Sequence, residues 1–119
     1  MIIITHHIQH KKIAEIGDDL IIIHNEDGGV QLLGEIYYAG YDAIIMYENQ
    51  LTTAFFDLKN GLAGAILQKF TNYKIQLAII GNFSATQSNS LRDFIRESNK
   101  RKHINFVASL SDALLLFSN

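Results

Sequence analysis

The chain has 119 residues, of which 48% are hydrophobic and 18% are charged, and its formal net charge at pH 7 is -2. This composition predicts one ordered domain spanning residues 1–119, and the acidic balance gives no electrostatic support for nucleic-acid binding. The absence of cysteine excludes disulfides, thiolate nucleophiles and cysteine-based metal centres, and no apolar run approaches the length of a membrane span.

The chain begins with a predicted β-hairpin. Ile2–Ile4 and Ile13–Ile16 are runs of β-branched residues, which favour strands, and the polar residues between them are expected to form the turn. His6, His7 and His10 give an HHxxH pattern between the two runs. Because a metal site would need a carboxylate ligand from elsewhere in the chain, we interpret these histidines as exposed hairpin residues and predict no metal site.

Helices and strands alternate through the rest of the chain. Asn25 is typical of a helix N-cap, and Gly40 is typical of the residue that follows a helix C-terminus. Further strands are predicted at Ala43–Met46, Ile75–Ile80 and Ile104–Val107, with helices between them and after Ser109. This alternation favours parallel strands joined by right-handed crossovers. We therefore predict a single α/β domain with a mixed sheet, in which the hairpin precedes alternating βα units and helices pack on the faces.

The most informative stretch is Phe55–Tyr73, with the sequence FFDLKNGLAGAILQKFTNY. Asn60 is predicted to cap a helix, and Gly61 allows the backbone to turn into it. From Leu62 onward, apolar residues recur at helical spacing. The opposite side of this helix carries small or amide-bearing residues: Gly64, Ala65, Gln68 and Asn72. Such a surface permits close approach, either by a protein partner or by a second packing layer of the same domain.

Polar residues also gather where the strand Ile75–Ile80 ends. Asn82–Ser90 is rich in hydroxyl and amide groups and leads into a predicted helix, and Asp57 precedes the start of the previous helix, where a carboxylate is favoured. In open α/β sheets, ligands bind at the carboxyl ends of strands. The segment has neither GxGxxG nor GxxxxGK[ST], so we predict no nucleotide and no cofactor. A polar surface loop with a serine N-cap is the alternative.

Charged residues line one side of the predicted third helix. Glu97 and Arg101 are four residues apart, which is the spacing of a solvated ion pair. A docking surface is the alternative interpretation of the same residues.

Several segments resemble the uncharacterised bacterial family known as domain of unknown function 4180. They are FFDLKNGLAGAILQKFTNYKIQLAIIGNFS, SNSLRDFIRESNK and INFV. The resemblance covers most of the chain and is strongest from Phe55 to Val107. The family pattern usually has Thr where this chain has Asn60, and Gly after the basic residue near Lys100, where this chain has Arg101 and Lys102. The resemblance implies no established activity.

A weaker resemblance links Asp57–Leu62, DLKNGL, to the Asp-Ser-Ser/Thr-Gly-Leu segment of STAS domains, the fold of anti-sigma-factor antagonists. It implies a STAS-like order of elements. In those proteins a hydroxyl at the helix start is phosphorylated and switches partner binding. Asn60 stands at that place here, so the resemblance implies a chain that is not phosphorylated there and is held in one state.

Two functions fit these patterns. The favoured one is a cytoplasmic regulatory or protein-interaction module without catalysis, which binds a protein through the Asn60–Tyr73 helix or pairs with a second copy as a homodimer, and has no nucleic-acid or membrane partner. We expect a cytoplasmic protein because the first residues do not form a signal peptide. The alternative is a small-ligand-binding protein or enzyme with its site at the strand ends near Asp57–Asn60 and Asn82–Ser88.

The candidate binding residues for these two functions are Asp57, Asn60, Gly61, Gly64, Gln68, Asn72, Asn82 and Ser88. No catalytic residue is predicted, because neither a Ser-His-Asp set nor GxSxG is recognisable.

Overall fold

A computed structural model describes residues 1–86, 88–102 and 104–118. Within these residues the strands are β1 (Ile3–Ile8), β2 (Lys11–Ile16), β3 (Ala43–Tyr47), β4 (Gln76–Ile80) and β5 (Ile104–Val107). The α-helices are α1 (Glu26–Tyr38), α2 (Leu62–Tyr73), α3 (Asn89–Arg101) and α4 (Leu110–Phe117). The chain order β1-β2-α1-β3-α2-β4-α3-β5-α4 confirms the predicted hairpin and the alternation that follows it.

The five strands form one mixed sheet in the order β1-β2-β3-β4-β5. β1 is antiparallel to β2, and the pairs from β2 to β5 are parallel. Since each crossover moves to the next position in the same direction, crossovers of one hand place α1, α2 and α3 on one face of the sheet. The α/β class and the mixed sheet are therefore confirmed.

Strand residues alternate between two hydrophobic layers. Ile44 and Leu77 belong to the larger layer, which packs under α1 and α2, with Phe94 and Ile95 of α3 partly buried against it. The smaller layer lies beneath α4 and includes Ile13, Ile45, Ala78, Ile80 and the α4 residues Ala113 and Phe117. The strands read as nearly continuous apolar runs because parallel strands are buried on both faces.

The third helix packs more loosely than its neighbours. α1 buries four residues and α2 buries four, whereas α3 has no fully buried residue among its 13. Leu91, Phe94 and Ile95 are only half-buried. α3 therefore covers the β5 edge of the sheet without closing tightly against α2.

The predicted helix ends are confirmed at α1 and differ at α2. Asn25 Oδ1 accepts a hydrogen bond from Gly28 N at 2.8 Å, and Gly40 follows α1 with a φ of 84°. At α2 the N-cap is Gly61, with φ 75°, rather than Asn60. Asn60 ends a short 3-10 turn, and its Oδ1 accepts from Leu62 N at 2.9 Å, so the helix starts one residue later than the spacing suggests.

The hairpin strands are longer than the apolar runs indicate. β1 and β2 extend through most of the polar residues between them, and only Gln9 and His10 remain in the turn. Gln9 adopts a left-handed φ of 57°, which a two-residue hairpin turn requires. The polar residues fit a strand because β1 lies at the sheet edge, where side chains reach water.

Two glycines of α1 test the packing of α1 on α2. A Cβ at position 34 would meet no described atom within 4 Å, whereas one at position 29 would lie 3.1 Å from Cγ1 of the buried Ile66. We expect Gly34→Ala to raise the free energy of unfolding by about 1 kcal/mol through helix propensity, and Gly29→Ala to lower it by crowding the core. Urea denaturation measures both. Equal stabilisation by the two variants would contradict the described contact.

Candidate functional site

A groove lies between α2 and α3 on the helical side of the sheet. Its volume is about 200 Å³. Gly64, Gln68 and Thr71 of α2 form one wall, Phe94, Ser98 and Arg101 of α3 form the other, and Leu67 and Ile104 complete the lining. The structure thus places two of the predicted residues, Gly64 and Gln68, one helical turn apart in a groove whose lining is partly apolar.

Helix periodicity explains the two walls. Each wall is formed by residues at positions i, i+4 and i+7, which share one face of a helix. Gly64 widens the groove, because a Cβ at this position would meet no described atom within 4 Å. Gln68 donates from Nε2 to Asn72 Oδ1 at 3.0 Å, which holds two predicted amides together on the exposed side of α2.

The α3 wall carries one cationic side chain, that of Arg101. Lys100 Nζ lies 3.5 Å from Glu97 Oε1, so the ion pair forms three residues apart, and the predicted pairing of Glu97 with Arg101 is wrong. Among the described residues no carboxylate pairs with Arg101. An unpaired guanidinium therefore stands beside the apolar lining of the groove.

A second depression lies on the other side of α3. Its volume is about 550 Å³, and it is lined by Phe83, Arg92, Ile95, Arg96, Asn99 and Lys100. Three of these side chains are cationic, and Phe83 and Ile95 are half-buried. α3 is therefore a basic ridge with apolar surface on both flanks.

The residues predicted for a small-ligand site do not lie together in one cleft. Asp57 and Ser88 share a cleft of about 570 Å³ with Phe56, Leu58, Lys59 and Ser90. Both side chains accept hydrogen bonds from the backbone. Asp57 Oδ1 accepts from Lys59 N at 3.4 Å, and Ser88 Oγ accepts from Leu91 N at 3.2 Å as the N-cap of α3.

The remaining predicted residues lie outside the lining of that cleft. Asn82 lines a different cavity, of about 320 Å³, and its Oδ1 accepts from Ser84 Oγ at 2.9 Å. Asn60 donates from Nδ2 to Ala54 O at 2.8 Å and, with Gly61, shapes the start of α2. The strand ends thus do not gather the predicted polar residues into one pocket.

Sequence reasoning missed a polar network on the α4 face of the sheet. The Glu15 carboxylate is 6% exposed and has two partners: His6 Nε2 lies 2.8 Å from its Oε1, and the Tyr47 hydroxyl donates to its Oε2 at 2.8 Å. His6 is half-buried, so its interpretation as an exposed hairpin residue is wrong. The one available signal was a carboxylate within the apolar run Ile13–Ile16.

This network borders a cavity of about 280 Å³ near the carboxyl ends of β2 and β3. Burial and the Glu15 carboxylate raise the pKa of the Tyr47 phenol to about 12, so Tyr47 remains a hydrogen-bond donor at neutral pH. Within residues 1–86, 88–102 and 104–118, no group of three or more His, Asp or Glu side chains is placed to hold a metal ion.

In the described part of the chain, no helix is long and apolar enough to cross a membrane. The family model described as domain of unknown function (DUF4180) matches residues 8–115. No curated protein matches the chain, and no solved structure matches it. The STAS-like order of elements therefore stays a prediction.

Tyr47 gives a pH dependence of stability. The pKa of a free tyrosine is 10.0 and that of folded Tyr47 is about 12, so the unfolded chain loses its proton first as the pH rises. This contribution to stability is complete below pH 10 and disappears as the pH approaches 12. We expect the unfolding free energy of Tyr47→Phe, measured in urea, to fall less over this interval than that of the wild type.

Tyr38→Phe is the matched control, because the Tyr38 side chain is 85% exposed. Its pH dependence should follow the wild type. If Tyr47→Phe also followed the wild type, folding would not raise the pKa of Tyr47, and its described burial beside Glu15 would be contradicted.

Proposed function

The chain belongs to the DUF4180 family, and from this premise we propose that it is a cytoplasmic regulatory or protein-interaction module without catalysis. The α2–α3 groove is its working surface. The partner supplies an amphipathic segment whose apolar side chains enter the groove and whose acidic side chains meet α3. This deepens the expectation of a protein partner on the Asn60–Tyr73 helix.

The observation that carries the proposal is the unfilled space between two parallel stripes of side chains. Leu67 and Ile104 are buried beneath it, while Gly64 leaves room above them. Amphipathic segments are recognised in such grooves by side chains that recur one helical turn apart. The wall residues of α2 and of α3, at positions i, i+4 and i+7, recur with the same one-turn spacing.

Charge distribution supports an acidic partner. Residues 92–102 carry five Lys or Arg and two Asp or Glu, a net charge of +3. Since the whole chain has a charge of -2, the other residues together carry -5. A basic ridge on an otherwise acidic protein orients an acidic segment toward α3 and repels it from the rest of the surface.

The chemistry of the groove favours binding over catalysis. Arg101 is the one ionisable side chain in its described lining. A guanidinium stays protonated in proteins, so it can hold a carboxylate but cannot act as a general acid or base at neutral pH.

A second candidate function is the binding of a small ligand in the Asp57–Ser88 cleft. The specific observation in its favour is that these two predicted residues line one cleft of about 570 Å³ beside Lys59. Asp57 Oδ1 and Ser88 Oγ already accept from backbone N–H groups, so a ligand there would rely on Asp57 Oδ2, the Lys59 ammonium and apolar contact with Phe56. This cleft therefore ranks below the groove.

A peptide-display selection tests the groove. The wild-type protein should enrich segments that combine Asp or Glu with Leu, Ile or Phe at helical spacing. Arg101→Glu should weaken binding of the selected peptides by at least about tenfold, because it replaces attraction by repulsion at the wall of the groove. Binding is measured by fluorescence anisotropy with a synthetic copy of the most enriched peptide.

Two further variants distinguish binding in the groove from a general effect of protein charge on affinity. Lys69→Glu makes the same charge change on an exposed position of α2 outside the groove lining, and it should leave affinity within about twofold once salt screens long-range effects. Gly64→Met should fill the groove and abolish binding without loss of stability, since the site is open. Equal affinity for Gly64→Met and the wild type would refute the groove as the binding surface.

A further inference from the structure

β1 is an open edge of the sheet. It comes first in the strand order and pairs with β2 alone. Gly17 N donates to Ile2 O at 2.9 Å, so Ile2 and Gly17 form a hydrogen-bonded pair between the two strands. Because hydrogen-bonded and non-hydrogen-bonded pairs alternate in antiparallel strands, the N–H and C=O groups of Ile3, Thr5 and His7 point away from β2. All three residues are exposed.

The opposite edge of the sheet is closed by a side chain. Asn99 of α3 donates from Nδ2 to Phe106 O at 3.2 Å and accepts from Phe106 N at 2.7 Å. One amide thus occupies both outward backbone groups of Phe106 in β5. A strand approaching this edge would have to displace both bonds.

Apolar side chains gather at the open edge. Met1, Ile2 and Ile4 are 55%, 59% and 45% exposed. Asp18 Oδ1 accepts from Ile2 N at 2.6 Å, which holds Ile2 beside the end of β2. Edge strands are usually protected by a charge, a proline or a covering loop, but residues 1–10 contain no Asp, Glu, Lys, Arg or Pro.

We propose that β1 pairs antiparallel with β1 of a second copy of this chain, around a two-fold axis at Thr5. The two five-stranded sheets become one continuous ten-stranded sheet. The closed β5 edge explains why the partner strand is β1: pairing of β1 with β5 of the next copy would displace Asn99 and would extend without limit, whereas β1 with β1 closes at two copies.

The sequence of β1 is compatible with this register. Thr5 faces Thr5 of the second copy, a favourable cross-strand pair. Ile2 faces Ile8, and the intermediate positions pair isoleucines with histidines. The seven paired residues, 2–8, contain no Lys, Arg, Asp or Glu. The proposal does not depend on the α2–α3 groove.

The lack of cysteine makes the pairing directly testable. In the proposed register, the two Thr5 Cα atoms lie about 5.5 Å apart as a hydrogen-bonded pair, within disulfide range. Two Ile3 residues lie four positions apart, on the order of 13 Å at about 3.4 Å per residue. We expect Thr5→Cys to form a covalent dimer rapidly under mild oxidation on non-reducing gels, and Ile3→Cys to form it at least tenfold more slowly.

Leu115→Cys is the control for random collision, since Leu115 is 66% exposed on α4. Its cross-linking rate should match that of Ile3→Cys. Sedimentation of the unmodified protein should give a species of twice the 13.4 kDa chain mass, and Thr5→Lys should reduce it to one chain with an unchanged circular dichroism spectrum. A wild-type protein that sediments as a single chain at every concentration, or equal cross-linking of Thr5→Cys and Leu115→Cys, would overturn the proposal.

Discussion

The need to bury both faces of β2–β5 governs the rest of this structure. Parallel strands with apolar residues on both sides must be covered by other elements on each face of the sheet. Three helices, α1, α2 and α3, lie over one face, and the eight-residue α4 serves the other. α4 runs diagonally, from Leu110 beside the end of β5 to Ser118, whose carbonyl accepts from Gln9 Nε2 in the hairpin turn. The cavity at the corner near Ile4, Glu15 and Tyr47 has no α4 residue in its described lining.

The polar network lies at this corner. A buried carboxylate in an apolar strand is costly unless it is hydrogen-bonded, and Glu15 has partners from both neighbouring strands: His6 of β1 and Tyr47 of β3. The network therefore joins the antiparallel hairpin to the parallel part of the sheet. Gln50 supports the same corner by donating to Ile16 O and Asp18 O.

The sequence predicts features that depend on neighbouring residues, such as strands and helix caps, but not contacts between residues that are distant in the chain. Ile104–Val107 was predicted residue for residue, and Asn25 was recognised as a cap, because apolar runs and capping depend on neighbours in the chain. The Glu15 network was missed because its partners are nine and 32 residues away. At the groove, small residues predicted one wall on α2, but the facing stripe on α3 follows from the strand order alone.

The two proposed surfaces lie at opposite ends of the strand order, and this has a consequence for binding. The groove borders β5 through Ile104, whereas the proposed dimer forms through β1, the first strand in the sheet order. Neither surface covers the other, so the proposed dimer would keep both grooves open and relate them by its two-fold axis. A partner with two acidic amphipathic segments would then bind the second groove at the effective concentration set by its linker. Under the two proposals, the open edge at β1 makes each groove one half of a bivalent site.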